Sequence, residues 1–230
     1  MISLQNTDAI IAVSLSFFAF ALSITASGTL QAYIARLMGD ETATNLGYAD
    51  FNPFTHLGLF DLIYFVLINV MLGNLVPIDI TEIRQNRRPL RLFLLFGSRT
   101  MVHLLLAIIT GLLMIAITTS WAAMGTTADP VQLVANLRMG LPPYLYIVSL
   151  LCASMTFANI FLASFALVRD TVYGVLLCKF EKDPSFAVYI NPILIFGFLL
   201  LWILFSRQIL ALLGAIVSFA ITLCGSACGF

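Results

Sequence analysis

Ser27 and Gln31 stand four residues apart, with Gly28 beside Ser27, in the stretch ASGTLQAYIARLMGD that closes the first long apolar run, Ala26 to Asp40. Residues four apart share a helix face. A hydroxyl and a carboxamide on one face can hydrogen-bond to a neighbouring helix. They are poor zinc ligands, since zinc takes thiolate, imidazole or carboxylate. Nucleophilic chemistry at Ser27 would need a base, and the chain holds only two histidines, His56 and His103. A metal set from His56, His103 and Asp61 can be drawn, but their spacing does not call for one. The four cysteines, Cys152, Cys178, Cys224 and Cys228, lie in or beside apolar segments and read as small packing residues. No glycine-rich phosphate loop is present.

The elements that position these groups are membrane helices. Of 230 residues, 61% are apolar and 10% charged, with a mean hydropathy of +1.03. Soluble domains carry about 25% charged residues, so a soluble enzyme is excluded. Net charge is zero and gives no reason to expect nucleic acid as a partner. A bilayer core takes about 20 apolar residues per helix. The candidate segments are Ala9–Met38, Leu57–Val76, Leu92–Thr119, Tyr144–Val168, Val188–Phe205 and Ile209–Leu223. Long apolar runs without alternation choose helices over a barrel. The expected fold is therefore an all-α polytopic membrane protein of about five to six segments, forming one domain over residues 1–230. The N-terminus lacks a basic region and is expected to be retained.

Arg84, Arg87, Arg88 and Arg91 cluster in one loop, and Lys179 and Lys182 in another. The positive-inside rule puts both in the cytoplasm, and the arginine run is expected at anionic lipid headgroups. If Leu57–Val76 is re-entrant, the N-terminus is outside; if it spans, the N-terminus is inside. Asp61, Asn69 and Asn74, with Pro77 as terminator, favour the re-entrant form. Arg99 lies about two turns past the basic loop and is expected to snorkel to the cytoplasmic face or to pair with Asp61 or Asp170. Arg169-Asp170 is expected at the membrane boundary, with Asn159 facing the bundle. His56 reads as an interfacial hydrogen-bonding residue. Trp121 and Tyr144 read as interfacial anchors around the longest polar connection.

Five stretches, in order, resemble the site-2 proteases, the intramembrane zinc metalloproteases: LQAYIARLMGD, FNPFTHLG, LVPIDITEIRQNRR, LFGSRTMVHLLLAI and NIFLASFALVRDTVYGV. The resemblance covers about residues 9–175, with 176–230 as a C-terminal helical hairpin. It implies a site-2-protease-like bundle. The departures are in the chemistry. Where the family has its HExxH motif, this chain has Ser27, Gly28 and Gln31; where the family has its ligand Asp, this chain has Gly174. The resemblance thus implies an emptied metal site, no catalytic residues, no metal and no cofactor.

The resulting expectation is a pseudoprotease of the bacterial inner membrane, serving as accessory subunit or scaffold for a membrane partner. Its partner groove would be walled by Gln31, Asp61, Asn69 and Asn159. The alternatives are an active metalloprotease with a non-standard site, and a subunit of a transport or respiratory complex.

Overall fold

The computed structural model describes residues 4–84, 86–123, 142–179 and Gly197. Every regular element among them is an α-helix: α1 (Leu4–Met38), α2 (Thr42–Asn45), α3 (Pro53–His56), α4 (Leu59–Ile68), α5 (Arg88–Ala123) and α6 (Pro143–Lys179). Three stretches on the long helices are long and apolar enough to cross a membrane: Ala9–Met38, Arg88–Thr118 and Pro143–Lys179. The chain is an α-helical integral membrane protein. Apart from Gly197, the expected segments Val188–Phe205 and Ile209–Leu223, with Cys224 and Cys228, lie outside the described residues, as does most of the connection after Trp121.

α1, α5 and α6 pack against one another. Small residues line the buried side of α1: Ala19, Ser23, Ser27, Ala32 and Ala35 are each 0% exposed. Without a hydrophobic drive between helices in lipid, small side chains of this kind let backbones approach. Their other faces carry exposed Leu, Ile and Phe, such as Phe18, Leu104, Ile108 and Leu167, as suits a lipid surround.

The predicted segment Leu57–Val76 is not one helix. α4 has ten residues, about 15 Å of helix, half the hydrocarbon thickness of about 30 Å. Asn69 ends it in the left-handed conformation, φ 56°. A strap without regular secondary structure, Val70–Val76, follows. Val70, Met71, Leu72 and Val76 are buried in it. Irregular backbone within a membrane protein is tolerated only where protein satisfies it, and its partners are described below.

The end of α1 is tied to the loop ahead of α5. Gly39 turns at φ 112°. The fully buried Asp40 accepts from the Thr42 amide and from the Asp79 amide, both at 2.9 Å. The Arg84 amide donates to the Met38 carbonyl at 3.1 Å. The C-terminal end of α1 and the basic loop therefore sit together. Of the four expected headgroup residues, Arg84 and Arg87 are exposed, while Arg88 and Arg91 are half-buried. Arg88 Nη2 donates to the Ile80 carbonyl and Arg91 Nε to the Asn86 carbonyl.

Candidate functional site: a buried polar core

The four positions singled out by the resemblance, Ser27, Gly28, Gln31 and Gly174, face inward. Ser27 is 0% exposed, and its Oγ donates to the Ile24 carbonyl of its own helix at 3.1 Å, so it bonds within α1 and not across the helices. Gln31 Nε2 crosses to the Leu95 carbonyl of α5 at 3.3 Å. Gly28 lies against His56: a Cβ there would sit 2.4 Å from Nδ1. Gly174 lies against Phe96 in the same way, at 2.6 Å from Cδ2. Gln31 and Gly174 thus meet consecutive residues of α5, Leu95 and Phe96. The registers of α1 and α6 converge on one turn.

His56 is 1% exposed and fills the space beside Gly28. Its Nε2 lies 3.1 Å from Thr29 Oγ1, which donates to the Asp50 carbonyl at 3.2 Å. Nδ1, on the side of Gly28, has no hydrogen-bond partner among the described residues. Tyr48 packs edge-on against the ring. Burial first, then the positive charge of Arg99, push His56 from 6.5 down to about 4, against the backbone of Asp50 and Tyr48. A histidine depressed in the folded state binds its proton preferentially when unfolded. Its stability contribution is therefore full above pH 6.5 and is lost as pH falls through 6.5 towards 4. We expect the unfolding midpoint in detergent to fall over that window, and to fall less in His56→Gln. An identical pH profile in the two proteins would contradict this.

The strap is held by side chains from three elements. Asp61 of α4, 4% exposed, accepts the Leu72 amide (3.0 Å) and the Gly73 amide (2.8 Å) on Oδ1, and the Gly58 amide (2.8 Å) on Oδ2. Arg169 of α6 donates from Nη1 to the carbonyls of Leu72 (3.2 Å) and Gly73 (2.9 Å). Arg99 of α5 donates from Nη1 to the Asn74 carbonyl at 3.0 Å, and the Asn74 amide donates to the His56 carbonyl at 2.8 Å. Gly73, at φ 74°, is enclosed: a Cβ would lie 2.5 Å from Ile24 Cγ2 and 3.3 Å from Arg99 Nη2. Asp170 takes Arg169 Nε at 2.9 Å, and Phe165 lies under the guanidinium at 4.8 Å, a cation–π contact.

Two sequence expectations are corrected here. Arg99 does not snorkel: it is 1% exposed, within electrostatic reach of Arg169, Asp170 and Asp61, and its hydrogen bond goes to backbone. Arg169 and Asp170 do not end their helix at a boundary: each is 1% exposed, and α6 continues to Lys179. The drawn groove is also changed. Gln31, Asp61 and Asn159 are buried and bonded within the chain, and Asn69 is exposed at the end of α4, so these four do not wall an open cleft. The sequence points to a re-entrant segment at Leu57–Val76 but does not show that Asp61, Arg99 and Arg169 hold its backbone. The strap's signal is Gly73-Asn74 ahead of Pro77, three residues ill-suited to a helix interior.

Asn159, 0% exposed, joins three helices. It accepts from His103 Nδ1 at 2.8 Å and donates to Ser23 Oγ at 2.8 Å. Asn159→Leu should cost about 0.6–2 kcal/mol for each interhelical bond lost, read as a lowered unfolding midpoint. An unchanged midpoint would show that the bonds contribute nothing net.

Among the described residues no group of three or more His, Cys, Asp or Glu could hold a metal ion. Comparisons with protein-family models, with curated proteins and with solved structures find no match.

Proposed function

We propose that this chain is a catalytically inactive, site-2-protease-like membrane protein that acts as accessory subunit or scaffold for a membrane partner, in the bacterial inner membrane. The observation that carries the reading is the filling of the degenerate positions. Where the resembled family needs a base and a ligand carboxylate, this chain has glycines covered by His56 and Phe96. Ser27 and Gln31 offer zinc no thiolate, imidazole or carboxylate. The bonds between the end of α1 and residues 79–84 support the re-entrant topology, because they let α5 start on the face where α1 ends. With the arginines inside, the N-terminus is then outside.

Elemental analysis of the purified protein tests the inactive reading: we expect no zinc, and about one zinc per chain would overturn it in favour of an active metalloprotease. The partner is tested by cross-linking in native membranes. A second membrane polypeptide in fixed ratio is expected, and a chain that remains monomeric there would contradict the scaffold role. One feature favours the transport-complex reading as the second choice. Arg99, Arg169, Asp61 and Asp170 are buried, and buried ionisable residues in membrane proteins commonly mark ion or substrate paths.

A further inference from the structure

The guanidiniums of Arg99 and Arg169 converge on Gly73. Arg169 Nη1 donates to its carbonyl, and Arg99 Nη2 lies 3.3 Å from where its Cβ would be. Neither head is free to turn. Arg169 is also held by the Leu72 carbonyl, by Asp170 at Nε and by the Phe165 ring beneath it. Arg99 is held by the Asn74 carbonyl. Yet three polar atoms of this cluster, Arg99 Nε, Arg169 Nη2 and Asp170 Oδ2, are buried and find no hydrogen-bond partner among the described residues. The ion pair shows how two of them arise. Nε and Nη2 share one edge of a guanidinium, and a bidentate contact would set that edge against both oxygens of a carboxylate. Arg169 and Asp170 close only one arm of such a contact, Nε to Oδ1 at 2.9 Å, and leave Nη2 and Oδ2 on the open arm.

We propose that the open arm is a resident water site: one ordered water, or a short chain of them, accepts from Arg169 Nη2 and Arg99 Nε and donates to Asp170 Oδ2. The unmet groups select the ligand. Two are donors and one is an acceptor, and water serves both kinds; a buried water typically makes about three such bonds. A halide could accept from the two arginines but has no proton for Oδ2. Nor is there net charge for an anion to answer, since Arg99 and Arg169 stand against Asp61 and Asp170, two against two. A buried donor or acceptor left unmet is costly. Water removes that cost without moving any side chain that holds residues 72–74. Such a site goes beyond the scaffold reading and holds under the transport reading alike.

Radiolytic labelling of the full chain in detergent tests the site. An X-ray pulse turns water, bound water included, into hydroxyl radicals that oxidise the side chains beside it. Phe165 and Phe161 both lie on α6 and are 2% and 3% exposed. The first is under the Arg169 guanidinium, and the second meets Phe20 at 6.3 Å between ring centroids. We expect Phe165 to be oxidised several times faster than Phe161. A Phe165 rate no higher than that of Phe161 would overturn the site: with both slow, no water is held there, and with both fast, water enters the bundle generally. The ligand class is tested on the unfolding midpoint, with gluconate exchanged for chloride at constant ionic strength. No shift is expected for water. A midpoint that rises steadily with chloride would overturn water in favour of an anion, because a ligand bound to the folded state stabilises it by mass action.

Discussion

Asp61→Ala is expected to destabilise the protein by about 3–5 kcal/mol, the cost of removing one partner from a buried charged network. Three backbone amides lose their acceptor at once, and a buried N–H without a partner is expensive in a membrane. Arg99 also loses one of the two carboxylates that offset it. The expected result is a large drop in the unfolding midpoint in detergent, or failure to accumulate in the membrane. Asp61→Asn keeps the shape and one acceptor oxygen and should cost markedly less. Adding Arg99→Leu to Asp61→Ala should recover part of the loss, because it removes an uncompensated charge, and the two changes should not add. A loss under about 1 kcal/mol for Asp61→Ala would mean that water reaches the strap in place of the carboxylate.

The second large effect is at Gly28. Gly28→Ala places a carbon 2.4 Å from His56 Nδ1 and 2.8 Å from Cε1. The ring cannot swing aside freely, since Thr29 and Tyr48 hold it. Overpacking of this order costs about 1–3 kcal/mol. Gly28→Glu, the residue the resembled family would have there, should cost more, because it adds a buried carboxylate. Gly28→Ala combined with His56→Ala should be milder than the sum of the two, with a coupling of about 0.5–3 kcal/mol. Strict additivity would show that the ring already has another place to go.

Some of this was legible in the sequence and some was not, for physical reasons. Apolar length shows the three long helices directly, because each must satisfy its own backbone in lipid. The shared face of Ser27 and Gln31 follows from helical spacing, and both are buried. Their bonds do not follow: Ser27 turns to its own helix, while Gln31 crosses to α5. Hydropathy misplaces Arg99 because it prices a charge against lipid or water alone. Here a carbonyl of the strap comes in to meet it. Arg169-Asp170 misleads similarly: a charged pair reads as a boundary until its partners, Leu72 and Gly73, are found almost a hundred residues earlier. The sequence reads His56 as an interfacial hydrogen-bonding residue; the ring does meet Thr29, but it is buried in the chain. That its ring covers Gly28 is a packing fact that no spacing rule contains.

The partners of the strap arrive in a fixed order during synthesis. Asp61 precedes Leu72 and Gly73 by 11 and 12 residues, so the amides are met as soon as α4 and the strap exist. Arg99 follows Asn74 by 25 residues. Arg169 comes 97 and 96 residues after Leu72 and Gly73, once α5 is already made. A chain that ends before α6 therefore lacks the guanidinium that these two carbonyls use in the complete fold. The backbone bonds of the strap are complete only when the third long helix is present.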